Sequence, residues 1–256
     1  MLLAFDIGNT NIAAGLFDKK KRLSSSRFST RPTTTADETS LLIFGWLKEN
    51  KFQKESIKSV IVSSVVPSLT AAFEQLSERH FNCKPILVSA RLKLPIKIKI
   101  DNPEQVGADR IANAAAGFVK FGGELIVVDF GTATNFDVVD AKGNYIGGVL
   151  IPGPETSMSE LARKAARLYE VPFAPPPRVV GRSTTEALMS GLFYGTVGQV
   201  DYIIERILNE TKFKKPHIIA TGGLAEKVAE HSRLIKKIEP NLTLEGLRII
   251  SALNLD

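Results

Sequence analysis

The 256-residue chain holds a single cysteine, Cys83, which excludes an internal disulfide and any cysteine-rich zinc site. Its three histidines, His80, His217 and His231, stand without metal-ligand spacing. No Gly-Lys dipeptide is present for a P-loop and no Gly-X-Gly for a dinucleotide fold, so the familiar phosphate loops are ruled out. No apolar run reaches the ~20 residues that span a bilayer, and the first residues enter an apolar strand with neither a basic lead nor a cleavage site. These absences predict a soluble cytoplasmic protein without a membrane partner. The formal charge of +6 is modest. Its clusters at Lys19-Lys20-Lys21-Arg22 and Lys212–Lys215 read as a solvated turn and a helix end. They favour anionic ligands, and no nucleic-acid partner is expected.

What the chain does have is a repeat. The stretch Leu3–Asp18 returns in altered form at Val127–Asp140. In each copy an apolar strand ends in Asp (Asp6, Asp129), a run of Gly, Asn and Thr follows, and a second apolar run comes back. That is the pattern of a hairpin with a polar tip. Glycine lets a backbone approach an anion, amides and Thr hydroxyls donate to it, and an Asp holds a hard cation or its water. Two facing tips would grip a nucleoside triphosphate.

The duplication predicts two halves with separate cores, 1–120 and 121–256. In the first, a strand at Ser26–Thr30 follows the hairpin and its turn at Lys19–Arg22. Next come a helix capped by Asp37 with Leu41, Leu42, Phe44, Trp46 and Leu47 as its apolar contacts, a strand at Val60–Val66, and a helix opened by Pro67. A short strand at Ile86–Ser89, an extended run at Leu94–Ile100 and a helix at Ala108–Lys120 complete that half. The second half has strands at Leu125–Phe130, Phe136–Asp140 and Tyr145–Leu150, then a helix at Glu155–Leu168. Pro172–Pro177 reads as a stiff, exposed connector, and Ser183 caps a long helix whose glycines suggest close helix approach. A strand at Ile218–Thr221 ends in Gly222-Gly223, and a last helix at Leu244–Leu253 closes the half.

The motifs Asp6-Ile7-Gly8-Asn9-Thr10-Asn11, Gly107-Ala108-Asp109-Arg110, Asp129-Phe130-Gly131-Thr132-Ala133-Thr134, Gly147–Gly153, Gly181-Arg182-Ser183-Thr184 and Thr221-Gly222-Gly223 resemble, in this order, those of the type III pantothenate kinases. These belong to the superfamily of acetate and sugar kinases, Hsp70 and actin. The resemblance covers nearly the whole chain. It implies an α/β fold of two ribonuclease-H-like domains, the duplicated actin-like ATPase architecture, with ATP and substrate in the cleft between them.

By the same resemblance, Asp6, Ile7, Gly8, Asn9, Thr10, Asn11, Ile12, Ala13 and Thr132 take the ATP phosphates, with Asp6 near Mg2+. Asp129 holds a monovalent cation, K+ or NH4+; its residue type alone says only that some hard cation is awaited. Gly107, Ala108, Asp109 and Arg110 bind pantothenate, together with Thr184 reaching across a homodimer interface. Asp109 becomes the general base, which is compatible with its being a favourable charge in the first turn of its helix. On residue type alone Arg110 is a surface arginine paired with a neighbour; the resemblance makes it a fork for the pantothenate carboxylate. One departure is Ile100, where many members carry tyrosine.

The implied reaction is ATP-dependent phosphorylation of pantothenate to 4′-phosphopantothenate, the first step of coenzyme A biosynthesis. Two alternatives keep the fold: a nucleotide-binding transcriptional regulator, and a kinase of the superfamily acting on another small acceptor.

Overall fold

The computed structural model describes residues 1–255 and divides them into two compact units. The first runs from Met1 to Lys120 and is joined by the chain from Asn241 onward; the second is Phe121–Pro240.

In the first unit, β1 (Leu2–Ile7), β2 (Asn11–Asp18) and β3 (Lys21–Ser29) form an antiparallel meander, and β4 (Ser59–Ser64) and β5 (Ile86–Leu87) extend it in parallel. The order across the sheet is β3-β2-β1-β4-β5. β3 starts earlier than predicted because the turn needs only Lys19 and Lys20, with Lys19 taking a positive φ of 53°. Helix α1 (Ala36–Glu49) is capped by Thr35, not Asp37. The Thr35 hydroxyl accepts from the Glu38 amide at 3.2 Å and the Glu38 carboxylate accepts from the Thr35 amide at 2.8 Å, a reciprocal capping box. Its buried face is Ile43, Trp46 and Leu47, while Leu41 and Leu42 face solvent at 74% and 50% exposure, contrary to their expected role. Helix α2 (Pro67–Phe81) starts on proline, whose fixed φ suits the first helical position. Leu69, Phe73 and Leu76 pack with α1 over Leu3, Phe5 and Ile7. The two-residue strand β6 (Lys97–Ile98) and α3 (Ala108–Phe121) follow.

In the second unit, β7 (Leu125–Phe130), β8 (Ala133–Val139) and β9 (Asn144–Pro152) are again an antiparallel meander. β10 (His217–Gly222) and β11 (Lys237–Ile238) add in parallel beside β7. The order β9-β8-β7-β10-β11 repeats that of the first unit, as the duplication predicts. Helix α4 (Pro154–Lys164) stops four residues short of expectation. Helix α5 (Thr184–Thr211) lays Phe193, Val197, Val200 and Ile204 over Ile126, Val128, Phe136 and Val138. The proline run is not wholly exposed: Phe173 is buried against Phe193, and its carbonyl accepts from Lys227 Nζ at 3.0 Å. The short α6 (Ala225–Ala229) precedes β11.

The last helix, α7 (Leu242–Asn254), departs from the sequence expectation. It packs on β1, β2 and β4 and so belongs to the first unit. Its Leu244 fills the space left by Gly15, and its Gly246 lies against the Ala112 backbone of α3 where no Cβ would fit. Thr243 Oγ1 also donates to Asn113 Oδ1 at 2.8 Å.

Candidate active site

Asp6 is the penultimate residue of β1, where the apolar run that buries Leu3, Phe5 and Ile7 meets the hairpin tip. The Ser63 hydroxyl on β4 donates to Asp6 Oδ1 at 2.9 Å, which orients the carboxylate. The tip closes through Gly8 N donating to Asn11 O at 3.0 Å. Thr30, just past β3, holds it from the side: its hydroxyl donates to Gly8 O at 2.7 Å and its amide to Thr10 O at 2.9 Å. Asn9, Thr10 and Asn11 are exposed, whereas Ile7 and Ile12 are buried in the core. Those two can therefore meet a ligand only through their backbone.

The second tip is one residue shorter. Strand pairing ends at Ile7 with Ile12 in the first copy and at Phe130 with Thr134 in the second. Four residues form the first tip and three the second, so Thr10, not Asn9, matches Thr132. The backbone agrees: Thr10 O accepts from Thr30 N, and Thr132 O accepts from Gly153 N at 3.0 Å, each donor being the residue after the third strand. Thr156 Oγ1 donates to the same Thr132 carbonyl at 2.7 Å. A threonine thus occupies the same place in both tips.

Asp129, half-buried on β7, pairs in register with Asn135 on β8 and Thr221 on β10. Beside it Gly222 has a φ of +92°, and a Cβ there would come within 2.6 Å of Asp129 Oδ1. Glycine lets the end of β10 pack directly against Asp129 and the Phe130 backbone. Among the described residues no group of three or more His, Cys, Asp or Glu could hold a metal. One carboxylate flanked in register by the Asn135 amide and the Thr221 hydroxyl fits a monovalent cation completed by neutral oxygens. Asp6, the one carboxylate of its own tip, suits Mg2+ held mainly by phosphate and water.

Gly107–Arg110 opens α3. Ala108 is buried, while Asp109 and Arg110 are half-exposed. Asp109 Oδ1 accepts from the Arg110 amide at 2.9 Å, so the carboxylate folds back over the helix start. A Cβ on Gly107 would lie 2.5 Å from that same oxygen. Thr184 is the exposed first residue of α5; Ser183 caps the helix, accepting from Glu186 N at 3.2 Å, and Glu186 Oε2 accepts from Arg182 N at 2.8 Å. Asp6–Ala13 and Gly107–Arg110 lie in the first unit, and Asp129, Thr132 and Thr184 in the second.

Sequence reasoning missed Ser63, Thr30 and Thr156. Ser63 lies near a strand end, Thr30 just past one and Thr156 in the first turn of a helix, and only the folded structure shows which carbonyl or carboxylate each hydroxyl meets. A cleft of about 470 Å³ on the second unit, lined by Tyr194, Asp201, Tyr202 and Arg233 among others, holds none of the predicted site residues.

Two sheets that share a five-strand order, each with an Asp-bearing hairpin tip, define the class as a duplicated actin-like α/β fold. Solved structures agree on the fold. One is a Sinorhizobium meliloti protein described provisionally as a 2-dehydro-3-deoxygalactonokinase, with TM-score 0.60, 13% identity, and coverage of 100% of this chain and 98% of that one. Another is the activator of 2-hydroxyisocaproyl-CoA dehydratase from Clostridium difficile, with TM-score 0.56, 12% identity, and coverage of 99% and 94%.

The sequence is more specific. The family model described as type III pantothenate kinase matches residues 2–206. The type III pantothenate kinase of Geotalea uraniireducens is 44% identical over 98% of this chain and 97% of its own length. That of Geobacter sp. strain M21 is 44% identical over 99% and 100%. The chain belongs to the type III pantothenate kinase family.

Proposed function

We propose that the chain transfers the γ-phosphoryl group of MgATP to the primary hydroxyl of pantothenate, giving 4′-phosphopantothenate, the first intermediate on the way to coenzyme A. The observation that carries this is the Asp109 carboxylate, fixed over the first turn of α3 beside the Arg110 fork, with Gly107 clearing its place. The hydroxyl oxygen attacks the γ-phosphorus as its proton passes to Asp109. The bond to the β–γ bridging oxygen breaks, and ADP keeps that electron pair. General-base help is worth roughly 10²–10⁴ in rate, and most of the remaining barrier in phosphoryl transfer is lowered by positioning and charge neutralisation.

In this assignment the two tips, through Asp6–Ala13 and Thr132, take the phosphates, while Arg110 pairs bidentately with the pantothenate carboxylate. Mg2+ near Asp6 and K+ or NH4+ at Asp129 would offset phosphate charge when bound. The reaction is assigned to the cytosol; no helix among the described residues is long and apolar enough to cross a membrane.

The chain acts as a homodimer in which Thr184 reaches the pantothenate of the second copy. Supporting this, the second unit exposes Leu150, Val179, Val180 and Tyr202. At the α5 glycines Gly191, Gly195 and Gly198 an added Cβ would meet, outside the local helix backbone, no atom of the described residues within 4 Å, so none of those residues uses their clearance.

The test is incubation of purified protein with ATP, Mg2+ and pantothenate, in K+ or in Na+ alone, with phosphopantothenate read by mass spectrometry. Product that depends on K+ is expected. No product in either salt, with ATP still bound, would reject pantothenate as acceptor.

A further inference from the structure

The two tips are short turns of exposed residues, and an isolated turn of this kind samples many peptide orientations. A cradle for phosphate needs its N–H groups already aimed. In a planar trans peptide the C=O and the following N–H point in opposite directions. Whatever holds the carbonyl therefore aims the amide.

In the first tip one residue does this twice. Thr30 takes Gly8 O through its hydroxyl at 2.7 Å and Thr10 O through its amide at 2.9 Å. The Asn9 N–H, on the far side of the Gly8 carbonyl, is thereby turned away from β3. In the second tip the same task is split between two residues on one carbonyl. Gly153 N at 3.0 Å and Thr156 Oγ1 at 2.7 Å both hold Thr132 O, which turns the Ala133 N–H away from them. Thr30 is half-buried one residue past the end of β3, and Thr156 stands in the first turn of α4, so each hydroxyl is anchored at the edge of a regular element.

We infer that Thr30 and Thr156 are positioning residues for nucleotide: their hydroxyls lock the peptide planes of the two tips so that the amides meet phosphate without prior ordering. This rests on the phosphate role proposed above for the tips. Neither residue need touch ATP. Removing a brace leaves the tip chemically intact but free to turn, so the cost appears in nucleotide affinity rather than in folding or acceptor binding. Thr30 matters more, because its hydroxyl holds a second carbonyl of its tip, Gly8 O, whereas Thr156 shares Thr132 O with Gly153 N, which stays when Thr156 is changed.

The experiment compares Thr30→Val, Thr30→Ser, Thr156→Val and Thr156→Ser with wild type. Affinity for Mg2+ and a non-hydrolysable ATP analogue is read by calorimetry, with KM for each substrate, kcat and the melting temperature. Thr30→Val should weaken nucleotide binding about 3–10-fold, the equivalent of one hydrogen bond, with pantothenate KM and melting temperature unmoved. Thr30→Ser should restore it. Thr156→Val should show a smaller loss, also restored by Ser.

Wild-type affinity in both Val variants, or Ser variants as weak as Val, would overturn the inference. Should Thr30→Val melt early, Thr30→Ala supplies the same deletion without β-branching, and its affinity decides. Because affinity is read without the acceptor, a wild type that binds nucleotide and phosphorylates nothing would sink the pantothenate assignment alone. A wild type that binds no nucleotide would sink both.

Discussion

Asp109 and Gly107 form a pair in which one residue does chemistry and the other makes room for it. Asp109→Asn removes the proton acceptor while keeping a side chain of the same shape, one that can still accept the Arg110 amide. It should fold, bind ATP and lose roughly 10²–10⁴ in kcat; near-normal turnover would remove Asp109 as the base. Gly107→Ala should act through the same oxygen, since its Cβ would come 2.5 Å from Asp109 Oδ1 and a side-chain carboxylate yields more easily than backbone. Turnover should fall without loss of ATP affinity. In an Asp109→Asn background, adding Gly107→Ala should then cost nothing, the non-additivity expected of residues that act as a unit. Equal losses in both backgrounds would show Gly107 acting by another route. The repeat singled out Asp6 and Asp129, and the family resemblance Asp109, but neither could say how the tips correspond. Aligning Asp6 with Asp129 and Gly8 with Gly131 sets Asn9 against Thr132; the missing residue in the second tip becomes visible only when Phe130 is seen paired with Thr134.

At the scale of elements, α5 is tied to the loop before β11 by a buried charge. Asp201, 4% exposed, accepts from Ser232 Oγ at 2.5 Å, from Arg233 N at 3.0 Å and from Arg233 Nε at 3.3 Å. Burial pushes this carboxyl up, but the Ser232 hydroxyl and the Arg233 amide and guanidinium together pull it below the usual carboxylate range. A depressed folded value means that the contribution is fully present above the unfolded pKa of about 3.9 and is lost as pH falls through the folded value. Asp201→Asn should cost roughly 1–3 kcal/mol at pH 7, read by denaturant unfolding. Its gap from wild type should narrow below about pH 4. A gap that stays constant from about pH 7 to pH 3 would show that ionisation of Asp201 plays no part. Asp140 is also depressed, its burial outweighed by bonds from Asn144 and Lys142, so the difference between variant and wild type is the informative quantity.

Elements of this kind were unevenly legible. β7 was read with its true ends because an apolar run stops at a polar tip, and α2 because proline marks its start. β11 was not, since Lys237–Ile238 is two residues long and becomes a strand only by pairing with Ile219 and Ala220. The apolar face of α1 was misread because Leu41 and Leu42 are as hydrophobic as Ile43, and only the helix phase set by the Thr35 cap decides which of them turns inward.

For the whole molecule, the duplication forecast two sheets of one strand order but not that the chain returns to its first unit. α7 follows β11 in sequence, yet its Gly246 fits closely against the Ala112 backbone of α3, a partner no local pattern announces. The glycines of α5 pose the opposite case, clearance without an occupant. In a helix interior, glycine costs about 0.5–1 kcal/mol relative to alanine, so Gly191, Gly195 and Gly198 weaken α5 unless something needs the room. If no partner sits there, Gly195→Ala should simply stabilise the protein by that amount and leave its mass in solution unchanged. If a second copy packs on this face, as proposed, the added methyl meets it: Gly195→Ala should raise the dimer dissociation constant, and the bulkier Gly195→Gln should yield monomer. Sedimentation equilibrium with thermal unfolding separates the two. Because Thr184 opens the same helix, the monomeric variant should also lose pantothenate affinity while still binding ATP; a monomer with unchanged pantothenate KM would show that Thr184 serves no second subunit.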